Sequence, residues 1–291
     1  MSGVVLVQGR QLGPQDVGRI RELIAAHPDW TRRRVSEELC AEWDWRNGAG
    51  RLKDMATRSL LVKLKARGLI ELPARRQVAS NRMRSQRIRP CAWDTTQLRV
   101  ALPELGLLTV REVSTNPAAR DQCAAALAEF HYLGYSGSVG ENLQYAVTDP
   151  TGRLVTCVLF GSSAWKCRAR DQFIGWTPEQ RTHGLHLLTN NRRFLILPWV
   201  RVPHLASWVL GRVLRRVSAD WQDKYGHPIA LVETFVDGSR FAGTSYRASN
   251  WIRLGSTTGR SRQDRRRTLR VGAKDVYLYP LQREFRSVLC R

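Results

Sequence analysis

Residues 193–236, RFLILPWVRVPHLASWVLGRVLRRVSADWQDKYGHPIALVETFV, decide the fold. The stretch opens on an apolar run at 193–200 and closes on another at 229–236, both of the length and composition of strands. Between them, 205–225 predicts a long helix. Strand, helix and strand in succession predict an α/β domain.

The surrounding sequence extends this pattern. Upstream, 144–148 and 154–160 flank Asp149-Pro150-Thr151-Gly152 and predict an antiparallel hairpin. An alanine-rich helix at 116–130 precedes it, followed by a glycine-punctuated loop that carries His131, Tyr132 and Tyr135. Downstream, 246–254 predicts a short helix.

The first hundred residues read differently. Val17, Ile20, Leu23 and Ile24 stripe one face of a helix over 14–26, and Thr31 suits the N-cap of a second that carries Val35 and Leu39 inward. A third helix over 51–67 sets Leu52, Met55, Ala56 and Leu60 on one face and Arg51, Arg58 and Lys65 on the other, with Gly68 as its stop. A short strand is expected at 69–73. Three helices and a strand, the third helix basic, form the pattern of a winged helix-turn-helix, whose later helix enters the major groove. A small helical bundle with a solvated charged face is the competing reading. The expected organisation is α/β (α+β): a winged-helix-like domain over 1–75, a basic linker over 76–114, an α/β domain over 115–258, and an arginine-rich segment with a C-terminal strand over 259–291.

Charge points to the partner. The chain has 47 basic and 25 acidic residues, a net charge of +22, and 41 of the basic residues are arginine. Such a surplus repels itself unless a polyanion offsets it, and planar guanidinium groups suit phosphate and guanine edges. Residues 1–99 carry 20 basic and 10 acidic residues and 259–291 carry 10 and 3, so both ends are basic. No secretory signal or membrane span is recognisable, and the six cysteines include no C-x-x-C pair, so a cytoplasmic location and no membrane partner are expected.

Candidate chemistry sits in the α/β part. Glu233 and Asp237 stand at i and i+4 on a strand, so both carboxylates point to one face and suit Mg²⁺ or Mn²⁺ for phosphoryl transfer. A strand-end charge paired with an arginine is the alternative. Tyr246, at a helix start beside Arg247, is a candidate nucleophile on a phosphodiester, and His131 a candidate proton donor or, with its tyrosines, a base-stacking platform. Both are also ordinary packing residues. Nucleic acid is expected to meet Arg51, Lys53, Arg58 and Lys65 in the N-terminal helices, and a phosphate clamp of Arg260, Arg262, Arg265, Arg266 and Arg267 near the end.

The segments NNRRFLILPWV (190–200), ETFVD (233–237), GTSYRASNW (243–251), GRLKDM (50–55) and VYLYPL (276–281) resemble the DruA family, named for the Druantia anti-phage system and also found with bacterial mobile elements. The resemblance implies DNA, or alternatively RNA, as substrate and partner proteins of defence or transposition. The order of elements over 115–256 is similar to the acyltransferase fold of the GNAT superfamily. That family sets an arginine or glutamine and a glycine-rich turn before the long helix, where backbone N–H groups meet the coenzyme A pyrophosphate. Here the turn is Arg201-Val202-Pro203-His204-Leu205-Ala206, without glycine and with one donor removed by proline, so coenzyme A is not expected. Three classes stay open: a DNA-cutting or strand-transferring enzyme, a non-catalytic DNA-recognition subunit for a partner nuclease or helicase, and an acyltransferase.

Overall fold

The computed structural model describes residues 5–7, 10–46, 50–74, 88–259 and 272–291. It divides into two compact units, Met1–Asn81 and Arg82–Arg291.

The first unit has a short antiparallel ladder of β1 (Val5–Val7) and β2 (Arg10–Leu12), then α1 (Pro14–Ala26), α2 (Arg32–Glu42) and α3 (Asp54–Ala66). Pro14 opens α1 where its missing N–H costs no hydrogen bond, and the Thr31 hydroxyl accepts the Arg34 N–H to cap α2. Ile20, Leu23, Val35 and Leu39 meet Leu60, Leu61 and Leu64 in the core. The stripe of α3 is rotated from the expected one. Ala56, Leu60, Leu61 and Leu64 are buried while Met55 is 64% exposed, because the adjacent leucines at 60, 61 and 64 bury more apolar surface than a face centred on Met55. Gly68 ends α3 at φ +70° as expected. The strand expected at 69–73 does not form: Ile70 and Leu72 bury into the helical core instead of joining a ladder, and the described ladder precedes α1.

The second unit is built on a seven-stranded sheet. Its strands are β3 (Thr109–Glu112), β4 (Asn142–Thr148), β5 (Leu154–Ser162), β6 (Leu188–Ile196), β7 (Leu231–Asp237), β8 (Ile252–Ser256) and β9 (Lys274–Pro280), in the order β3-β4-β5-β6-β7-β9-β8. Every neighbouring pair is antiparallel except β6–β7, which is parallel. A parallel pair needs a crossover, supplied here by α7 (Leu205–Leu214) and α8 (Val217–Tyr225); α4 (Pro117–Phe130), α5 (Arg168–Ile174), α6 (Pro178–Gly184), α9 (Thr244–Ala248) and α10 (Phe285–Leu289) are its other α-helices among the described residues. Leu127, Leu143, Phe160, Leu195, Val209, Val213, Trp221 and Val232 are among the side chains of one continuous core. The α/β class is as the sequence indicates.

Three local expectations change. The helix expected over 205–225 breaks into two at Arg215–Arg216, where the Arg216 guanidinium is held by Asp220 at 2.7 Å and the Val110 carbonyl at 3.0 Å. The helix expected over 246–254 stops at Ala248; Asn250 turns the chain at φ +62°, Trp251 buries, and 252–256 becomes β8. Residues 88–114, expected as part of a linker, belong to the second unit. Leu98 donates its N–H to the Trp199 carbonyl at 2.9 Å, Leu105 and Leu108 are buried, and β3 forms the sheet edge, so apolar side chains outweigh basic composition there.

Candidate active cleft between two diverging strands

The parallel pairing of β6 and β7 is short. Leu188, Thr189 and Asn190 pair with Leu231, Val232 and Glu233, and beyond them β6 and β7 no longer pair with each other. The space beyond is a cavity of about 600 Å³, lined from β6 by residues that include Asn191, Arg192 and Phe194 and from β7 by Thr234 to Asp237. The loop after α4 contributes His131, Tyr132 and Leu133, the segment leading into α9 contributes Arg240, Phe241 and Gly243, and α9 itself Ser245 and Tyr246. Three of the four candidate catalytic residues, His131, Asp237 and Tyr246, therefore meet at one cleft.

Glu233 is the exception. Its fully buried carboxylate accepts from Arg170 Nη1 at 2.8 Å and from the Ala164 N–H at 2.6 Å, and Arg170, itself fully buried, also bonds Asp171 and the Ala164 carbonyl. Burial pushes the Glu233 carboxyl up while the Arg170 guanidinium opposes it. The carboxylate pair expected at one mouth is thus corrected: Glu233 lies inside the paired part of the sheet, covered by α5, and Asp237 lies past it. No group of three His, Cys, Asp or Glu side chains with metal-binding geometry occurs among the described residues.

Asp237 accepts from the Ser239 hydroxyl at 2.6 Å and the Ser239 N–H at 3.1 Å, bonds that hold its carboxyl below the usual range, and Arg240 Nε lies 3.8 Å away. It is therefore a carboxylate at neutral pH. His131 is pushed down to about 4, chiefly by burial and then by Arg193, so its ring is neutral at pH 7. Its Nδ1 accepts the Leu133 N–H at 3.2 Å, which leaves the ring proton on Nε2 as a donor. Tyr246 donates to Asn191 Oδ1 at 2.8 Å and packs against Trp251 and Tyr277. Burial pushes its phenol up to about 12, opposite to the activation a nucleophile needs, and Arg247 turns to the Ala242 carbonyl. Tyr246 is a wall of the cleft. Gly243 sets that wall: its φ is +68° and a Cβ there would collide with the Tyr277 hydroxyl.

The sequence reading missed Asn191, Arg192, Thr234, Arg240 and Phe241. Arg192 occupies a bulge, since Leu159 pairs with Arg193 and Phe160 with Asn191, and a bulge inside a strand of mixed residues has no pattern of its own.

The first-unit candidates carry internal partners. Arg58 pairs with Asp54, and Lys65 lies 3.3 Å from Glu71. Lys53 is half-buried, which lowers its pKa, while Arg51 is exposed. Arg260, Arg262, Arg265, Arg266 and Arg267 lie outside the described residues. No described helix is long and apolar enough to cross a membrane.

A model of the family described as Druantia protein DruA matches residues 63–271, most of the chain and both faces of the cleft. The chain belongs to the DruA family. No curated protein matches this DruA-family chain in sequence. Among solved structures it is similar to a spermidine N-acetyltransferase from Vibrio cholerae in complex with CoA and spermine, with 9% identity, a TM-score of 0.41, and coverage of 60% of this chain and 95% of that one. It is also similar to a putative acetyltransferase from Acinetobacter baylyi ADP1, with 10% identity, a TM-score of 0.40, and coverage of 60% and 93%. For a putative acyl-CoA N-acyltransferase from Klebsiella pneumoniae subsp. pneumoniae MGH 78578 the values are 14%, 0.38, 60% and 99%.

Proposed function

We propose that this DruA-family chain binds and processes DNA in an anti-phage or mobile-element context, and that the cleft between β6 and β7 is its reaction centre. The observation that carries the reading is the convergence of His131, Asp237 and two arginines, Arg192 and Arg240, at the one place where the sheet opens. In hydrolysis of a phosphodiester, the Asp237 carboxylate takes the proton of the attacking water as its oxygen bonds phosphorus, the P–O bond to the leaving sugar oxygen breaks and that oxygen takes a proton from solvent, and His131 Nε2–H and the guanidinium groups stabilise charge developing on the phosphate. Asp237 with the substrate phosphate also suits one Mg²⁺ or Mn²⁺ ion, which would neutralise further charge. The basic first unit and the arginine-rich 260–270 segment supply affinity for the backbone.

The test is incubation of labelled single-stranded and duplex DNA with the protein, with Mg²⁺, Mn²⁺ or a chelator, beside Asp237→Asn. Product formed by the wild type and lost in the variant supports the reading. Tight binding without product, on DNA that includes the native flanking sequence, replaces it with a recognition subunit for a partner nuclease or helicase. An acyltransferase is the second alternative, favoured by the opening between parallel strands. Against it, the turn before α7 places His204 at φ +64° beside Pro203, without the glycine-rich backbone that a pyrophosphate would need.

A further inference from the structure

Within the cleft, the guanidinium of Arg192 is out of place for a folded chain left to itself. Its side chain is half-buried, crosses Gly161 so closely that a Cβ there would lie 2.7 Å from its Cδ, and makes no ion pair or side-chain hydrogen bond among the described residues. It stands beside Arg193, whose own charge it disfavours. A half-buried, unpaired charge next to a like charge is costly unless an anion joins it. The bulge at Arg192 in β6 and the missing side chain at Gly161 in β5 make room for this side chain, and Arg192 lines the cavity.

The rim above it is aromatic. Tyr132 and Phe241 are 37% and 50% exposed and their ring centroids lie 5.3 Å apart; the Tyr132 ring is stacked by His131 at 4.9 Å and covered by Arg240 at 5.3 Å, which leaves Phe241 as the open ring. The polar groups below are already used: Tyr246 bonds Asn191 Oδ1, the Asn191 amide donates to the carbonyls of Leu159 and Arg193, and Thr234 donates to the Asn191 carbonyl. The Phe241 ring, the guanidinium groups, the His131 Nε2–H and the Asp237 carboxylate are what remain for a ligand. The volume, about 600 Å³, falls in the range of about 300–1,000 Å³ that suits one small-molecule-sized group and excludes a duplex.

We propose that the cleft receives one unpaired deoxynucleotide of a DNA strand, its base stacked on the exposed Phe241 ring with the edge of Tyr132 beside it and its phosphate held by Arg192 and Arg240. This rests on the reading of the cleft as a DNA site and specifies what enters it. Because the hydrogen-bonding groups of the floor are satisfied internally, the pocket takes bases with little discrimination, as stacking platforms do.

The test uses the full chain and single-stranded oligodeoxynucleotides that carry one 2-aminopurine, whose fluorescence falls on stacking against an aromatic ring. Binding by the wild type quenches the probe, and the quench is lost in Tyr132→Ala/Phe241→Ala. Arg192→Gln weakens single-strand binding by about tenfold, the scale of one well-placed contact of about 1.4 kcal/mol. Melting temperatures of the variants confirm that they fold. Oligothymidine and oligoadenosine competitors perform alike, and free dAMP competes only weakly if the strand rather than a free nucleotide is the ligand. A quench that survives in the aromatic variant, or unchanged affinity in Arg192→Gln, overturns the proposal; tighter binding of the matching RNA strand overturns its assignment to DNA. These readouts need no turnover, so a protein that stacks the probe but forms no product retains the pocket and loses only the processing step.

Discussion

Replacing Glu233 by alanine should unfold the second unit far more readily while leaving its chemistry intact. The Glu233 carboxylate and the Arg170 guanidinium are both fully buried, 2.8 Å apart, and the variant leaves the cation with Asp171, the Ala164 carbonyl and the Trp176 ring. Breaking a buried pair from one side costs about 3–5 kcal/mol, and the surviving Asp171 contact sets the expectation near the lower end. For a domain of this size each kcal/mol shifts the melting temperature by roughly 2–4 °C, so a fall of about 6–12 °C is expected in a thermal scan. The double variant Glu233→Leu/Arg170→Met removes both charges and should recover most of the loss. DNA turnover per folded molecule should match the wild type in both. A Glu233→Ala protein with an unchanged melting temperature and abolished turnover would refute the assignment of Glu233 to the fold and return it to the chemistry.

Other consequences follow from the same geometry. Folding favours the neutral His131 ring, so the unfolded chain takes up the proton first, and its part of the stability is lost as pH falls from about 6.5 toward about 4. Denaturant titrations of wild type and His131→Gln across that window should show a shallower pH slope in the variant; parallel slopes would mean that the ring is not desolvated. If the first unit grips duplex DNA, Arg51→Ala/Arg58→Ala/Lys65→Ala should lower affinity and flatten the dependence of log K on log salt by up to about 0.9 per contact, and less where Asp54 and Glu71 already neutralise a cation. Unchanged duplex binding would remove the unit from the interface. Coenzyme A should leave the melting temperature unmoved, and a rise of several degrees would establish binding and favour the acyltransferase.

Elements set by local periodicity or turn chemistry were readable in the sequence, and what depended on distant partners was not. The stripe in α1, the Thr31 cap and the hairpin at 144–160 follow from neighbouring residues, and they form as expected. The rotation of α3 was hidden because its apolar residues support two overlapping stripes, and the choice belongs to the helices packed against it. Glu233 and Asp237 share strand parity, but their fates differ. Arg170, 63 residues earlier, closes over one, and the divergence of β6 from β7 frees the other. His131 and Asp237 could be named from residue type, whereas their meeting depends on that divergence. Arg192 carried no signal because a bulge is a property of the ladder, not of the strand that contains it.

Amide hydrogen exchange, followed on the full chain with and without an uncleavable phosphorothioate single strand, tests most directly whether DNA enters the cleft. The strand should slow exchange in 131–135 and in 237–246, the two segments that rim the cavity, in addition to any protection in the basic first unit. Protection confined to residues 32–66, with both rim loops exchanging as they do in the free protein, would contradict it and leave the chain as a DNA-binding module whose α/β unit acts on something else.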